Sequence, residues 1–198
     1  MSITKSTAER YAVHTSGGEY ASIVLRDWSR PVNIDQVRTT TYYCGEIQIH
    51  SSFGSWANTW TACGVPFKQF LLGAEFEYLF IKFMGTKFRV FDGEASFKSL
   101  VEKVLRYRRE GGIGKEEARD IYGDLDDAQE ELEAGSDSFV NTVFRLMEDR
   151  RGRAFKMFAE PWDLIVRKPD CQAVGFWREI WPEFTAALRE ELAQPVPA

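Results

Sequence analysis

CGEIQIHSSFGSWANTWTACGVPFKQFLLGAEFEYLFIKFMG, residues Cys44–Gly85, holds the two patterns from which the rest of the chain can be read. Up to Trp60 it alternates. Ile47 and Ile49 stand against Glu46, Gln48 and His50, the period-two signature of a strand with one face in a core. Phe53-Gly54-Ser55 supplies a turn into a second strand over Trp56–Thr61. Pro66 suits the first turn of a helix, where its missing N–H costs nothing. From there to Met84 two apolar stripes run side by side: Phe67, Phe70, Leu71, Ala74, Tyr78 and Ile81, then Leu72, Phe76, Leu79 and Phe83. A helix apolar on most sides is buried on most sides, so this one is expected at the centre of the fold.

Upstream, Arg10–Thr15 and Tyr20–Asp27 alternate around Ser16-Gly17-Gly18, which predicts a hairpin. Ser29–Tyr43 is polar and contains Pro31, so it reads as a long loop. Downstream the helical period dominates. Glu94–Arg109 places Phe97, Leu100, Val101, Val104 and Leu105 on one side, and Gly111-Gly112-Ile113-Gly114 breaks it before Lys115–Glu133. The pair reads as an αα-hairpin. Ser136 offers an N-cap for Asp137–Asp149. An irregular Arg150–Asp170 stretch follows, then a broken helix over Ala173–Leu192 that restarts at Pro182. The expected fold is α+β: a small N-terminal antiparallel sheet packed on a buried central helix, followed by a helical C-terminal half. The expected organisation is one domain over 1–193, β-rich over 10–61 and mainly helical over 66–193, with a disordered tail at 194–198.

Composition narrows the class. At 198 residues, 44% hydrophobic and 14% aromatic, the chain can bury a full core. A net charge of −5 argues against a dedicated nucleic-acid binder. Three cysteines without tight spacing suit a reducing compartment. The polar start MSITKSTAERYAVH lacks the apolar stretch of a signal peptide. The richest apolar run carries Lys68, Glu75, Glu77 and Lys82, too many charges for a membrane span of roughly 20 apolar residues. The expectation is a cytoplasmic protein without membrane contact.

Several groups could carry chemistry. Cys63 precedes the Pro66 helix start, where a thiol pKa can fall, and with Lys68 the turn could hold an anion; His50 is the base within reach in sequence. Against this stands the commoner use of cysteine as a buried apolar residue. Cys44, His50 and Cys63 have no usual metal-ligand spacing, and no CxxC occurs, so neither metal nor cofactor is expected. Arg106–Arg109 and Arg150–Arg153 could touch phosphates, but both close helices, where cations offset the dipole. The acidic helix is the more pointed feature. Nine acids lie within the eighteen residues Glu116–Glu133 against one Arg119, along about 27 Å of helix. That is roughly one charge per 3 Å, close to the ~3.4 Å of a single DNA strand. Glu116, Asp120, Asp124, Asp127 and Glu131 fall on one stripe, which could imitate nucleic acid before a basic partner or serve only as a solvated face.

The blocks CGEIQIHSSFGSWANTW, CGVPFKQFLLG, KFMG, RVFDGEASFKSLVEKVLRYRREG and FWREIWPEF resemble a group of uncharacterised proteins encoded in tailed phages and prophages of Proteobacteria. The resemblance spans most of Cys44–Leu192 and carries over no catalytic residue. It implies a phage accessory protein in the host cytoplasm, of the kind that binds and inhibits host machinery, anti-CRISPR proteins included. The expected partner is then a bacterial host protein or nucleoprotein complex. The rivals are a small enzyme beside Cys63, His50 and Lys68, and a nucleic-acid-binding phage regulator.

Overall fold

The computed structural model describes residues 5–33, 39–149, 157–158 and 160–194. Within the 1–193 span the chain packs as two compact units, one made of Met1–Phe88 with Pro169–Ala198, the other of Arg89–Lys168.

The first unit holds a four-stranded antiparallel sheet in the order β1 (Glu9–His14), β2 (Tyr20–Asn33), β3 (Thr39–Ser51), β4 (Gly54–Trp60). The strands are sequential neighbours, and the β1–β2 and β3–β4 turns are tight. Gly18 and Gly54 take φ of 88° and 145° there, conformations that side chains disfavour. Alternation sends Val13, Ala21, Ile23, Leu25, Ile47 and Ile49 to one face, where all are buried. Onto that face pack α1 (Phe67–Leu72), α2 (Phe76–Met84), α7 (Cys171–Glu179) and α8 (Trp181–Ala193), through Phe67, Leu71, Leu79, Phe80, Phe176 and Phe184. Gly45 is needed for this: a Cβ there would lie 2.0 Å from Phe67 Cγ, so the ring seats directly on the strand backbone.

Two expectations need correction here. The central helix over 66–84 is two helices, divided at Gly73, and it is not buried all round: Leu79 and Phe80 are enclosed, but Ile81 and Tyr78 are exposed. The stretch Ser29–Tyr43 is not a loop over its described residues. There β2 and β3 continue as a ladder from Trp28↔Cys44 to Asn33↔Thr39. β1 pairs with β2 only as far as Leu25, so Pro31 stands on an open flank where its missing N–H breaks no second ladder. The β-branched and aromatic residues Val32, Thr39, Thr40, Thr41, Tyr42 and Tyr43 favour extension once a partner strand is present.

The second unit is helical apart from β5 (Arg89–Phe91) and β6 (Arg167–Pro169), which form a two-stranded sheet absent from the sequence reading. Its helices are α3 (Gly93–Arg109), α4 (Lys115–Asp127), α5 (Gln129–Glu133) and α6 (Ser136–Asp149). Asp92 caps α3 by accepting from Ala95 N at 3.3 Å. Leu100, Val104, Ile121, Leu125, Leu132, Phe139 and Val143 form the core. Buried Ser96 ties α3 to the return strand, its Oγ accepting from Val166 N at 2.9 Å. The first unit closes behind this excursion: Asp170 N donates to Phe88 O at 2.9 Å, so the chain leaves and re-enters that unit at adjacent points. Among the described residues no helix is long and apolar enough to cross a membrane.

Candidate functional site

The acidic face is built on α4. Gly111 (φ 77°) turns the chain after α3, and Gly112 lets the Tyr107 ring approach, since a Cβ there would meet Cε1 at 2.5 Å. α4 then buries Ala118, Ile121 and Leu125. The 3.6-residue period puts Glu116, Asp120, Asp124 and Asp127 on another face; Asp124 is partly buried and the other three are exposed. The predicted helix over Lys115–Glu133 is not continuous. It stops at Ala128 (φ −98°, ψ 8°), and α5 is a separate short helix. The stripe on α4 therefore spans the twelve residues from Glu116 to Asp127, a rise of about 17 Å, rather than the length expected.

Glu131 does not join that face. From α5 it pairs with Arg145 and accepts from Thr142 Oγ1 at 3.3 Å, while its backbone oxygen accepts from Ser138 Oγ at 2.7 Å. These contacts tie α5 to α6. The ends of α4 differ in sense. Glu116 and Glu117 in its first turn complement the helix dipole, but the last turn holds Asp124, Asp126 and Asp127 and no basic residue. Acids there work against the helix, so helix stability does not account for them. The basic residues Arg106, Arg108 and Arg109 close α3, where they offset its dipole. The Arg150–Arg153 cluster lies outside the described residues.

Cys63 and His50 are not brought together. Cys63 N donates to Tyr43 O at 2.8 Å, so Cys63 stands beside Tyr43. His50 is seven positions further along β3, about 23 Å at strand rise. It is exposed, with Nδ1 2.7 Å from Ser55 Oγ across the strand pair. Burial, followed by the nearby Cys44, pushes the Cys63 thiol up, away from a reactive thiolate. Cys44 itself is buried, its Sγ 3.1 Å from Thr61 O. Among the described residues no group of three or more His, Cys, Asp or Glu could hold a metal ion.

Lys68 belongs to a different arrangement, one with no local sequence signal. Its Nζ binds carboxylate oxygens of both Glu9 and Glu191, and the Tyr11 hydroxyl lies 2.7 Å from each of the same two groups. The Tyr11 ring also lies 5.9 Å from Nζ. Three elements, β1, α1 and α8, are fastened by four side chains. All the donors and acceptors face one another, so the cluster reads as a clamp.

The fold and this surface can now be set beside known proteins. The chain is a phage protein, matched over residues 1–190 by the model of a family described as a phage family. That family is Phage_phiTE_072, and the chain belongs to it. No curated protein and no solved structure matches the chain.

Proposed function

We propose that this phage protein acts by stoichiometric binding, presenting the acidic face of α4 to a basic, nucleic-acid-handling surface of a bacterial host complex, with a defence complex as the target class. The observation that carries this reading is the last turn of α4. Asp126 and Asp127 sit where the dipole disfavours acids, in a turn that holds no basic residue. Exposed Glu116, Asp120 and Asp127 extend the same charge along the helix. Complementary charge of this kind speeds encounter and fixes orientation more than it adds affinity. The face thus steers docking.

The test is capture from bacterial lysate with nuclease, comparing the natural chain with a variant carrying Asp120→Lys, Asp124→Lys and Asp127→Lys. The expected result is one stoichiometric partner, displaced by added single-stranded DNA and lost with the variant, whose circular dichroism stays helical. Undiminished capture by a folded triple variant would remove the acidic face from the function.

A further inference from the structure

The outward face of the sheet carries a cleft that neither the acidic face nor the Lys68 clamp uses. β1 begins only at Glu9, and residues 5–8 run free of the ladder. Between that segment and β2 lies a cleft of about 480 Å³, lined by Lys5, Ser6, Thr7, Arg26, Asp27 and Trp28. A smaller hollow of about 130 Å³ adjoins it on the other side of Arg26, lined by Ala8, Val24, Glu46 and Gln48. Arg26 is held in place between them. Its guanidinium lies 4.8 Å from the Trp28 ring centroid, Nη1 donates to Ser6 Oγ at 3.2 Å, and Nη2 lies 3.4 Å from Glu46 Oε2. Its Nε is buried and has no acceptor, the one such side-chain atom among the described residues. A buried donor left unmade is costly, so part of this guanidinium's hydrogen-bonding capacity is unmet where it stands.

We propose that this cleft binds a nucleoside 5′-phosphate. The donors specify the anion. The Arg26 guanidinium, the Lys5 ammonium and the Ser6 and Thr7 hydroxyls bring two positive charges and several donors to one cleft, which suits the doubly charged, three-oxygen end of a phosphate monoester. Lys5 has no ion pair among the described residues, so its charge is available to a ligand. The remaining wall specifies the organic part. Trp28, with the Arg26 guanidinium over its ring, adds an aromatic surface against which a base can pack, and Asp27 can accept from a ribose hydroxyl or an exocyclic amine. The volume lies within the range of small-molecule sites and is far larger than a bare phosphate fills.

The experiment titrates the full chain with the four ribonucleoside 5′-monophosphates, with the corresponding nucleosides and with inorganic phosphate. Binding is read from the NMR signals of the Trp28 indole N–H and the Arg26 side-chain Nε–H. The expected result is saturable shifts with at least one nucleotide, weaker binding of its nucleoside and of phosphate alone, and affinity lower by about tenfold in Arg26→Met. Trp28→Leu should cost about fivefold through lost stacking. Should Arg26→Met fail to fold, Lys5→Ala, on an exposed segment outside the ladder, tests the same phosphate contact. No shift with any nucleotide at millimolar concentration overturns the proposal. So does inorganic phosphate binding as tightly as the best nucleotide.

Discussion

Lys68 receives its two carboxylates from opposite ends of the chain, Glu9 lying 59 positions before it and Glu191 lying 123 positions after it. Its side chain is 12% exposed, so burial alone would lower its pKa; its hydrogen bonds to Glu191, Glu9 and Tyr11 outweigh this and raise it. Lys68, then Tyr11, hold the Glu191 carboxyl below the ordinary carboxylate range. The signs follow. The depressed carboxyl contributes stability that is present above its unfolded pKa and lost as pH falls through the folded one. The raised ammonium contributes stability that is full below its unfolded pKa and lost only as pH rises through the folded one. Their sum is a plateau across neutral pH with losses at both extremes. Lys68→Met should lower stability near neutral pH by about 1–3 kcal/mol, less than for a fully buried pair because both carboxylates reach solvent. It should also flatten the acid limb, since Glu191 then loses its main reason to stay ionised. Urea midpoints measured from acid to neutral pH check this; an unchanged acid limb would contradict it.

At the scale of the element, α4 trades helix stability for surface charge. Asp126→Lys with Asp127→Lys should raise the melting temperature, each change contributing about 0.3–1 kcal/mol at the C-terminal dipole. A lower melting temperature would show these carboxylates to be part of the fold's own support. The amphipathic content of the elements was legible in sequence. Ile47 against Glu46 and Gln48 announces β3, and the stripes within 94–109, 115–133 and 173–192 announce helices there, because those patterns report which side meets a core. Breaks and partners were less legible. Ala128 carries no breaker signature, and the break there was missed while Ala128 itself ends up buried. Gly73 in an apolar run is compatible with a continuing helix until the sheet beneath it is specified. Ser29–Tyr43 reads as a loop in sequence because the strand character of its two ends depends on their pairing with each other. Glu131 departs from the acidic stripe because the partner that claims it, Arg145, lies on another helix.

On the scale of the whole molecule, the hydrogen bond between Phe88 O and Asp170 N defines a seam. Both residues belong to the first unit, whose core includes Phe88 and Ala173 on either side of that seam. Replacing residues 89–168 by a short Gly-Ser link should therefore leave the sheet and its helices folded. Near-ultraviolet circular dichroism checks it: Trp177 and Trp181 stack at 5.4 Å within the first unit, whereas Trp162 is the one tryptophan in 89–168. A shortened chain without near-ultraviolet signal would show that the first unit needs the second to fold. For the gene, the seam means that everything encoding α3 to α6 lies between two codons whose products already touch. Recombination at those two points can exchange or discard that cassette, acidic face included, while the host framework keeps its reading frame and its core.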